Sequence, residues 1–222
     1  MAEVSSHHCI NNYSPYFNRM SSMVVRYLLR LGEGHTYFIF PGRQRETMEF
    51  RSASPSDAKD IYEVQAQSCR SAYYDVLDDH SIIDAMEDPS TIDQIQEWLE
   101  YTVDDDQAIH PVAVTDKDGI VGFAQLLVGE HAPDRTSSNE AFLQSLYVQP
   151  DYWGRGIGSE LLETGVKRLP SDATTVSLEV LPQNDIGVSF YEKHNFERES
   201  TGEFEAGGTT YETVIFSRAV TR

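Results

Sequence analysis

Two patterns of hydrophobic positions alternate along the chain from residue 48 onward. In short runs, hydrophobic and polar residues alternate one by one; in other runs, apolar residues recur every three to four positions. The first pattern predicts strands and the second predicts amphipathic helices. The predicted strands are 48–53, 111–115, 120–128, 141–148, 174–180, 196–204 and 210–219. The predicted helices are 55–68, 91–102, 158–169 and 185–194, and the stretch 70–87 is expected to be helical in pieces.

Turn and capping residues set several of these boundaries. Ser54 followed by Pro55 is typical of a helix N-terminus, and Asp57 suits the first turn. The Asp116–Gly119 turn predicts a hairpin, and the glycine pair at 207–208 predicts a second one at the end of the chain. Strands and helices that alternate after a meander imply a mixed sheet with a parallel portion.

The first 47 residues differ from the rest in charge and lack a clear period. They hold five basic and three acidic residues, whereas residues 48–222 hold 12 basic and 33 acidic ones. This shift predicts an N-terminal extension, 1–47, followed by one domain, 48–222. The extension is expected either to lie outside the fold, as a disordered segment or the product of a start codon set too far upstream, or to pack on the domain through Val24, Leu28 and Phe38.

Charge and cysteine content narrow the classes of protein. With 36 acidic and 17 basic residues, the chain is expected to avoid nucleic acid and anionic membranes. No apolar run approaches the roughly 18 residues of a membrane helix, and Cys9 and Cys69 match no metal or disulfide spacing. We therefore expect a cytoplasmic protein without a metal. Its acidic, lysine-poor surface favours a halophile-like adaptation over an ordinary acidic protein.

A glycine-rich turn between the strand 141–148 and the helix 158–169 is the first candidate site. In the run Trp153–Gly158 (WGRGIG), glycines let the backbone approach a ligand closely, and the helix start presents free N–H groups. Such a turn can hold a pyrophosphate, and Arg155 can add a charge contact. The spacing fits neither the dinucleotide fingerprint nor the P-loop. A tight strand-to-helix turn without a ligand is the alternative.

Three polar residues downstream are candidates for chemistry. Glu179 faces away from the apolar side of the strand 174–180, and a carboxylate in a covered sheet is unfavourable unless it is solvated, paired or used. A salt bridge or an exposed strand end is therefore the alternative to a catalytic role. Tyr191 lies in the helix 185–194, where a core tyrosine is the alternative. Asn184 precedes that helix and suits its cap.

Together these segments resemble the GNAT superfamily of acetyl-CoA-dependent N-acetyltransferases. The family's loop, Arg/Gln-x-x-Gly-x-Gly/Ala after a strand that ends in Val-x-Pro, matches 148–158, with Trp153 where Arg or Gln is usual. Its pattern Asn-x-x-Ala-x-x-x-Tyr-x-x-x-Gly-Phe matches 184–196, with Gly187 for Ala and Asn195 for Gly. The resemblance covers 110–220 well. It implies the GNAT fold, an α/β (α+β type) structure whose mixed sheet of about six to seven strands is splayed at its centre and flanked by helices.

The resemblance also implies an activity and the residues that perform it. Acetyl-CoA would be the co-substrate, and its acetyl group would pass to a primary amine by direct attack. By analogy with GNAT enzymes that acetylate protein N-termini, Glu179 would be the base and Tyr191 the acid, while strand N–H groups polarise the thioester carbonyl. The implied acyl-CoA contacts are Leu146, Tyr147, Val148, Trp153, Gly154, Arg155, Gly156, Ile157, Gly158, Ser159, Asn184 and Tyr191.

The sequence leaves the acceptor open. Residues 67–77 resemble a segment of GNAT enzymes that act on polyamines or other small molecules, with Cys69 where tryptophan is usual, and Asp75, Asp78 and Asp79 would attract a cation. The position of Glu179 favours protein N-termini instead. A small-molecule amine and a peptide N-terminus are both candidate partners of a monomer or homodimer. An acyl-CoA-binding sensor without turnover is the alternative from another class.

Overall fold

A computed structural model describes residues 36–38, 46–74, 77, 80–206 and 209–221. The strands are β1 (Thr36–Phe38), β2 (Glu46–Ser52), β3 (Ala108–Ile109), β4 (Pro111–Thr115), β5 (Gly119–Leu127), β6 (Glu140–Val148), β7 (Thr175–Val180), β8 (Glu197–Ala206) and β9 (Thr209–Ala219). The helices are α1 (Ala58–Tyr73), α2 (Ser81–Met86), α3 (Thr91–Thr102), α4 (Ile157–Lys167) and α5 (Asp185–Lys193).

The described strands form one nine-stranded sheet in the order β1-β2-β4-β5-β6-β7-β9-β8, with β3 paired to β5. Neighbouring strands are antiparallel except β6 and β7, which run parallel. The mixed sheet flanked by helices is therefore confirmed. The seven predicted strands correspond to the seven longer ones, while β1 and β3 have only three and two residues.

The sheet opens between its two parallel strands. Their registered pairs run only from Glu140↔Thr175 to Phe142↔Ser177, although β6 has nine residues and β7 has six. On the other side of β6, the register with β5 shifts, so that Gln144 is an extra residue in β6. Such a bulge bends and twists its strand. The predicted central splay is thus confirmed, and a gap separates the later parts of β6 and β7.

Side chains of β6 alternate between two parts of the core. Leu146 and Val148 pack in a cluster with residues of α4 and α5, whereas Tyr147 packs with Phe123 and with residues of α1 and α3. This alternation follows from the period of two along a strand. The end of β6 therefore lies between two layers of helices. One layer contains α4 and α5, and the other contains α1 and α3.

Several boundaries differ from the predicted ones. A short 3-10 turn, Pro55–Asp57, precedes α1, which continues five residues past the predicted end at Ser68 because Cys69 and Tyr73 extend its buried face. β2 begins at Glu46, and β1 pairs with it, so part of the predicted extension lies on the sheet. The domain boundary otherwise stays a prediction.

Some predictions lie outside the described residues: the glycine turn at 207–208, Val24, Leu28, the side chain of Phe38, and Asp75, Asp78 and Asp79. Among the residues that are described, no helix has the length and hydrophobicity needed to cross a bilayer. No group of three or more His, Cys, Asp or Glu side chains in that part of the chain is arranged to hold a metal ion. The cytoplasmic location, the oligomeric state and the adaptation to salt stay predictions.

Candidate active site

The edge of β6 that faces the gap carries backbone groups of alternate residues. The N–H of Gln149 donates to the carbonyl of Val121 in β5, at 2.9 Å. Successive residues of an antiparallel strand direct their N–H and C=O groups to opposite edges. The backbone groups of Tyr147 therefore face β5, as those of Gln149 do, and the backbone groups of Leu146 and Val148 face the gap. The gap edge of β6 thus carries the backbone groups of Leu146 and Val148, and the predicted backbone contacts of 146–148 with an acyl group stay predictions.

The carbonyl of Val148 fixes the surroundings of this edge. It accepts hydrogen bonds from the Ser68 hydroxyl at 2.9 Å and from the Trp153 indole N–H at 2.5 Å. The first bond joins α1 to the end of β6, and the second joins the glycine loop to it. Trp153, which stands where Arg or Gln is usual in the family pattern, thus anchors the loop through its side chain.

The glycine loop leads into α4 in a conformation that only glycine adopts readily. Gly154 has φ 74° and Gly156, the N-cap of α4, has φ 82°. The helical hydrogen bonds begin when the N–H of Glu160 donates to the carbonyl of Gly156 at 3.1 Å. The N–H groups of 157–159 precede that bond and have no acceptor within the helix. Together with the helix dipole they form a site suited to an anion.

Neighbouring groups restrict which amides belong to this anion site. The N–H of Trp153 donates to the carbonyl of Pro150 at 3.1 Å, so it is used inside the turn. Arg155 folds back onto the same turn, because its guanidinium donates to the Asp151 carbonyl at 2.8 Å and lies 4.3 Å from the centre of the Tyr152 ring. A charge contact between Arg155 and a phosphate stays a prediction.

His194, at the end of α5, holds the hydroxyl of Ser159. Its Nδ1 lies 2.7 Å from the Phe190 carbonyl and its Nε2 lies 2.8 Å from the Ser159 hydroxyl. Burial lowers the pKa of His194, which favours the neutral ring at pH 7. Since a carbonyl can only accept, Nδ1 carries the proton and Nε2 accepts from Ser159. This contact joins the first turn of α4 to α5.

Glu179 is buried in β7 and has two polar partners. Its side chain is 8% exposed, and Arg135 donates to Oε2 at 2.6 Å. The hydroxyl of Thr213 in β9 donates to Oε1. A Cβ at Gly202 would lie 2.8 Å from Oε1, so β8 closes the carboxylate on that side. The structure thus contains the salt bridge that the sequence left as an alternative, and the catalytic role of Glu179 stays a prediction.

Asn184 joins the start of α5 to α1. Its Oδ1 accepts from the N–H of Gly187 at 2.8 Å, which confirms the predicted cap, and its Nδ2 donates to the Tyr73 hydroxyl at 2.9 Å. Both side chains are buried. A Cβ at Gly187 would lie 2.8 Å from Nδ2 of Asn184, so glycine at this position leaves room for the cap.

Tyr191 belongs to a buried cluster of phenols and one thiol beside the gap. Its ring contacts Phe190 and Phe196 at 5.3 and 5.4 Å between centroids. Burial is the main cause that raises the pKa of Tyr73 and of Tyr147, and electrostatic interaction with Tyr191 raises both further. Tyr191 therefore lies within electrostatic range of both phenols.

Cys69 is the thiol of this cluster. Burial raises its pKa to about 12, and its charge would in turn raise the pKa of both Tyr73 and Tyr147. A thiol with such a pKa is almost entirely protonated at neutral pH and is a weak nucleophile. Cys69, Tyr73 and Tyr147 are therefore neutral at pH 7.

Sequence reasoning missed four polar residues of this region: Ser68, Tyr73, Arg135 and Thr213. Ser68 and Tyr73 lie on the buried face of α1; Ser68 is the residue at which the helix was expected to end, and Tyr73 lies beyond it. Arg135 is the only lysine or arginine in the loop 129–139, a signal that could have marked it as a partner for a buried carboxylate. Thr213 carries no local signal, because only the pairing of β7 with β9 brings it to Glu179.

Comparison with known proteins was made by sequence and by structure. The model of the acetyltransferase (GNAT) family matches residues 69–196. Over 100 residues the chain is 36% identical to the peptidyl-lysine N-acetyltransferase YjaB of Salmonella typhimurium and 32% identical to YjaB of Escherichia coli. These matches cover 45% of this chain and 58% and 57% of the relatives. The chain thus spans little more than half the length of these relatives.

Solved acetyltransferases share the fold. The PaiA N-acetyltransferase of Thermoplasma acidophilum, in complex with coenzyme A, superposes with a TM-score of 0.63 at 23% identity, over 78% of this chain and 98% of that one. YncA of Salmonella typhimurium, solved with acetyl-CoA, gives a TM-score of 0.58 at 13% identity, over 79% and 95% of the two chains. At these identities the likeness establishes the fold.

Proposed function

Because the chain belongs to the acetyltransferase (GNAT) family, we propose that it transfers an acetyl group from acetyl-CoA to a primary amine. The observation that carries the proposal is the gap between β6 and β7, which opens after Phe142 and Ser177 beside the glycine loop that starts α4. A thioester can reach amides of β6 in such a gap while its diphosphate rests on the first turn of α4.

The residues beside the gap suit an acyl-CoA in chemistry and position. The leading amides of α4 donate to phosphate oxygens and need no lysine to do so. Leu146 and Val148 direct backbone groups into the gap, where N–H donors stabilise the charge that develops on a thioester carbonyl oxygen.

Glu179 acts as the base in the proposed mechanism. An amine is protonated at neutral pH and must lose a proton before its nitrogen can attack the thioester carbon. Glu179 takes that proton directly or through water. The new C–N bond replaces the C–S bond, and the electron pair of the C–S bond leaves with sulfur.

Tyr191 acts as the acid. Its hydroxyl gives a proton to the departing CoA thiolate, so the products are the acetylated amine, CoA and one proton passed to solvent. The raised pKa of Cys69 supports direct transfer, because a protonated, buried thiol is a poor acceptor for an acyl intermediate.

The side chain of a peptidyl lysine is the first candidate acceptor. The support comes from YjaB, whose name states that activity and with which this chain shares 36% identity over 100 residues. A peptide N-terminus or a small-molecule amine presents the same ammonium group and would use the same base. The three acceptor classes therefore differ only in what surrounds the amine.

A screen for CoA release tests the function. Acetyl-CoA is mixed with lysine peptides blocked at the N-terminus, peptides with a free N-terminus and no lysine, and polyamines, at low and at molar KCl. We expect thiol release with at least one class, and Tyr191→Phe should lower kcat at least tenfold with little change in acetyl-CoA affinity. Tight CoA binding with no release for any amine, and no response to Glu179→Gln, would favour an acyl-CoA sensor instead.

A further inference from the structure

We propose that Glu179 and Thr213 form a subsite for the ammonium group of the acceptor, and that Arg135 occupies this subsite as an internal cation that the acceptor displaces. The inference rests on the proposed function, since it names where the acceptor amine binds. It adds a binding site for organic cations and a specificity-determining residue, Arg135, that belongs to neither motif of the sequence.

The contacts of the carboxylate describe a cation site. One oxygen of Glu179 accepts from the Arg135 guanidinium at 2.6 Å and the other accepts from the Thr213 hydroxyl. A buried carboxylate needs a compensating charge or donors. Thr213 supplies a neutral donor and Arg135 supplies the charge. A primary ammonium has the same charge and N–H donors of similar reach, so it can replace the guanidinium at the same oxygen.

The side from which Arg135 arrives is the side open to solvent. The Arg135 side chain is 36% exposed and comes from the loop between β5 and β6, whereas the Glu179 side chain is 8% exposed. On β8, Gly202 leaves no room even for a Cβ, which would lie 2.8 Å from Glu179 and 2.9 Å from Thr213. An acceptor is therefore blocked on the side of Gly202, whereas the partly exposed path that Arg135 now fills leads to the carboxylate.

This subsite lies at the point where the gap between β6 and β7 begins. The guanidinium carbon of Arg135 lies 4.8 Å from the centre of the Phe142 ring, an arrangement that attracts cations. Phe142 and Ser177 form the last registered pair of β6 and β7, and Glu179 lies two residues further along β7. The bound cation thus rests between a carboxylate and an aromatic face where the two strands separate.

While Arg135 is paired with Glu179, the apparent affinity of this subsite for the ammonium group of the acceptor is lowered. The acceptor binds only the fraction of molecules in which Arg135 has left the carboxylate, so KM is raised by the inverse of that fraction. A partly exposed ion pair favours the bound arginine by up to about fivefold in population. Arg135→Ala should therefore lower KM for a cationic acceptor by up to about fivefold. Loss of a merely structural contact would lower activity or stability without lowering KM.

A binding experiment tests the subsite without any need for turnover. Full-length Arg135→Ala is titrated with millimolar methylguanidinium chloride against NaCl at equal ionic strength, and thermal unfolding is followed. We expect the small cation to fill the vacated position and to raise Tm by about 2 °C or more. Wild type should show no such rise, and neither should the double variant Arg135→Ala/Glu179→Gln, which lacks the anionic partner.

Arg198→Ala is the matched control, because Arg198 pairs with Glu192 at 3.2 Å on the surface, where both side chains are more than half exposed. It should respond to methylguanidinium as wild type does. Should Arg135→Ala fail to fold, Arg135→Gln keeps the size of the side chain and gives the same readout. Equal responses in wild type and in the Arg135 variants would overturn the inference. If no amine is acetylated by any form but methylguanidinium binds as described, the subsite stands and the proposed function fails.

Discussion

The link between α1 and α5 gives a prediction whose size follows from two hydrogen bonds. Asn184→Ala removes the cap on Gly187, which is worth about 1 kcal/mol of unfolding free energy. It also removes the donor to the buried Tyr73 hydroxyl, which is worth about 1–3 kcal/mol. We expect a total loss of about 3 kcal/mol. For a chain of this length that loss lowers Tm by about 9 °C.

Urea unfolding followed by circular dichroism measures this loss, and a double-mutant cycle with Tyr73→Phe separates its parts. The cycle should return a coupling of about 1 kcal/mol between Asn184 and Tyr73. Asn139→Ala is the control, because Asn139 donates to Thr174 at 2.7 Å on the exposed surface and should matter by less than about 0.5 kcal/mol. Additive effects of Asn184→Ala and Tyr73→Phe, or a loss no larger than that of the control, would refute the reasoning.

Three further predictions concern the loop, pH and salt. Gly156→Ala should raise KM for acetyl-CoA at least about tenfold in steady-state kinetics, because φ is 82° there and a side chain would strain the loop. Gly119→Ala is the control, because φ is 67° in that separate turn and the added Cβ would lie 3.3 Å from Oδ2 of Asp60; it should leave KM unchanged. Burial lowers the pKa of His110 to about 4, so the unfolded chain takes up a proton at higher pH than the folded chain does. The free energy of unfolding, measured by urea titration, should therefore fall by about 3 kcal/mol between pH 6.5 and 4. His110→Gln should reduce this dependence on pH, and an unchanged dependence would contradict the prediction. With a net charge of −19, Tm and activity should rise in molar KCl, and a decrease would exclude an adaptation to salt.

Local patterns were sufficient to predict most elements and both motifs. The helix 91–102 is confirmed to the residue, and Asn195 adopts the left-handed conformation, φ 61°, at the position where the family pattern has glycine. These features depend on residues close in sequence, where capping, period and turn chemistry act.

The contacts that complete the site join distant parts of the chain. Ser68 and Val148 are 80 residues apart, and Asn184 and Tyr73 are 111 apart. Period and capping contain no information about which strand edge meets which helix. The bulge in β6 likewise depends on its register with β5, so the direction of the Leu146 and Val148 backbone groups could not be read from the sequence.

The same reason explains the arginine that was missed. Glu179 was recognised as a carboxylate in need of a partner, but Arg135 lies 44 residues earlier, in the loop between β5 and β6. A single sequence could therefore state that a partner or a catalytic use was required. It could not state which of the basic residues would supply the partner.

The central claim is that a diphosphate binds the amides at the start of α4. Selective ¹⁵N-glycine labelling makes it directly measurable by NMR, because the chain has only 14 glycines and three of them, Gly154, Gly156 and Gly158, lie in the loop. On titration with CoA, these three resonances should shift together and saturate, while Gly119 and Gly129 in other turns stay in place. Saturable binding that leaves the three loop glycines unmoved would contradict the account.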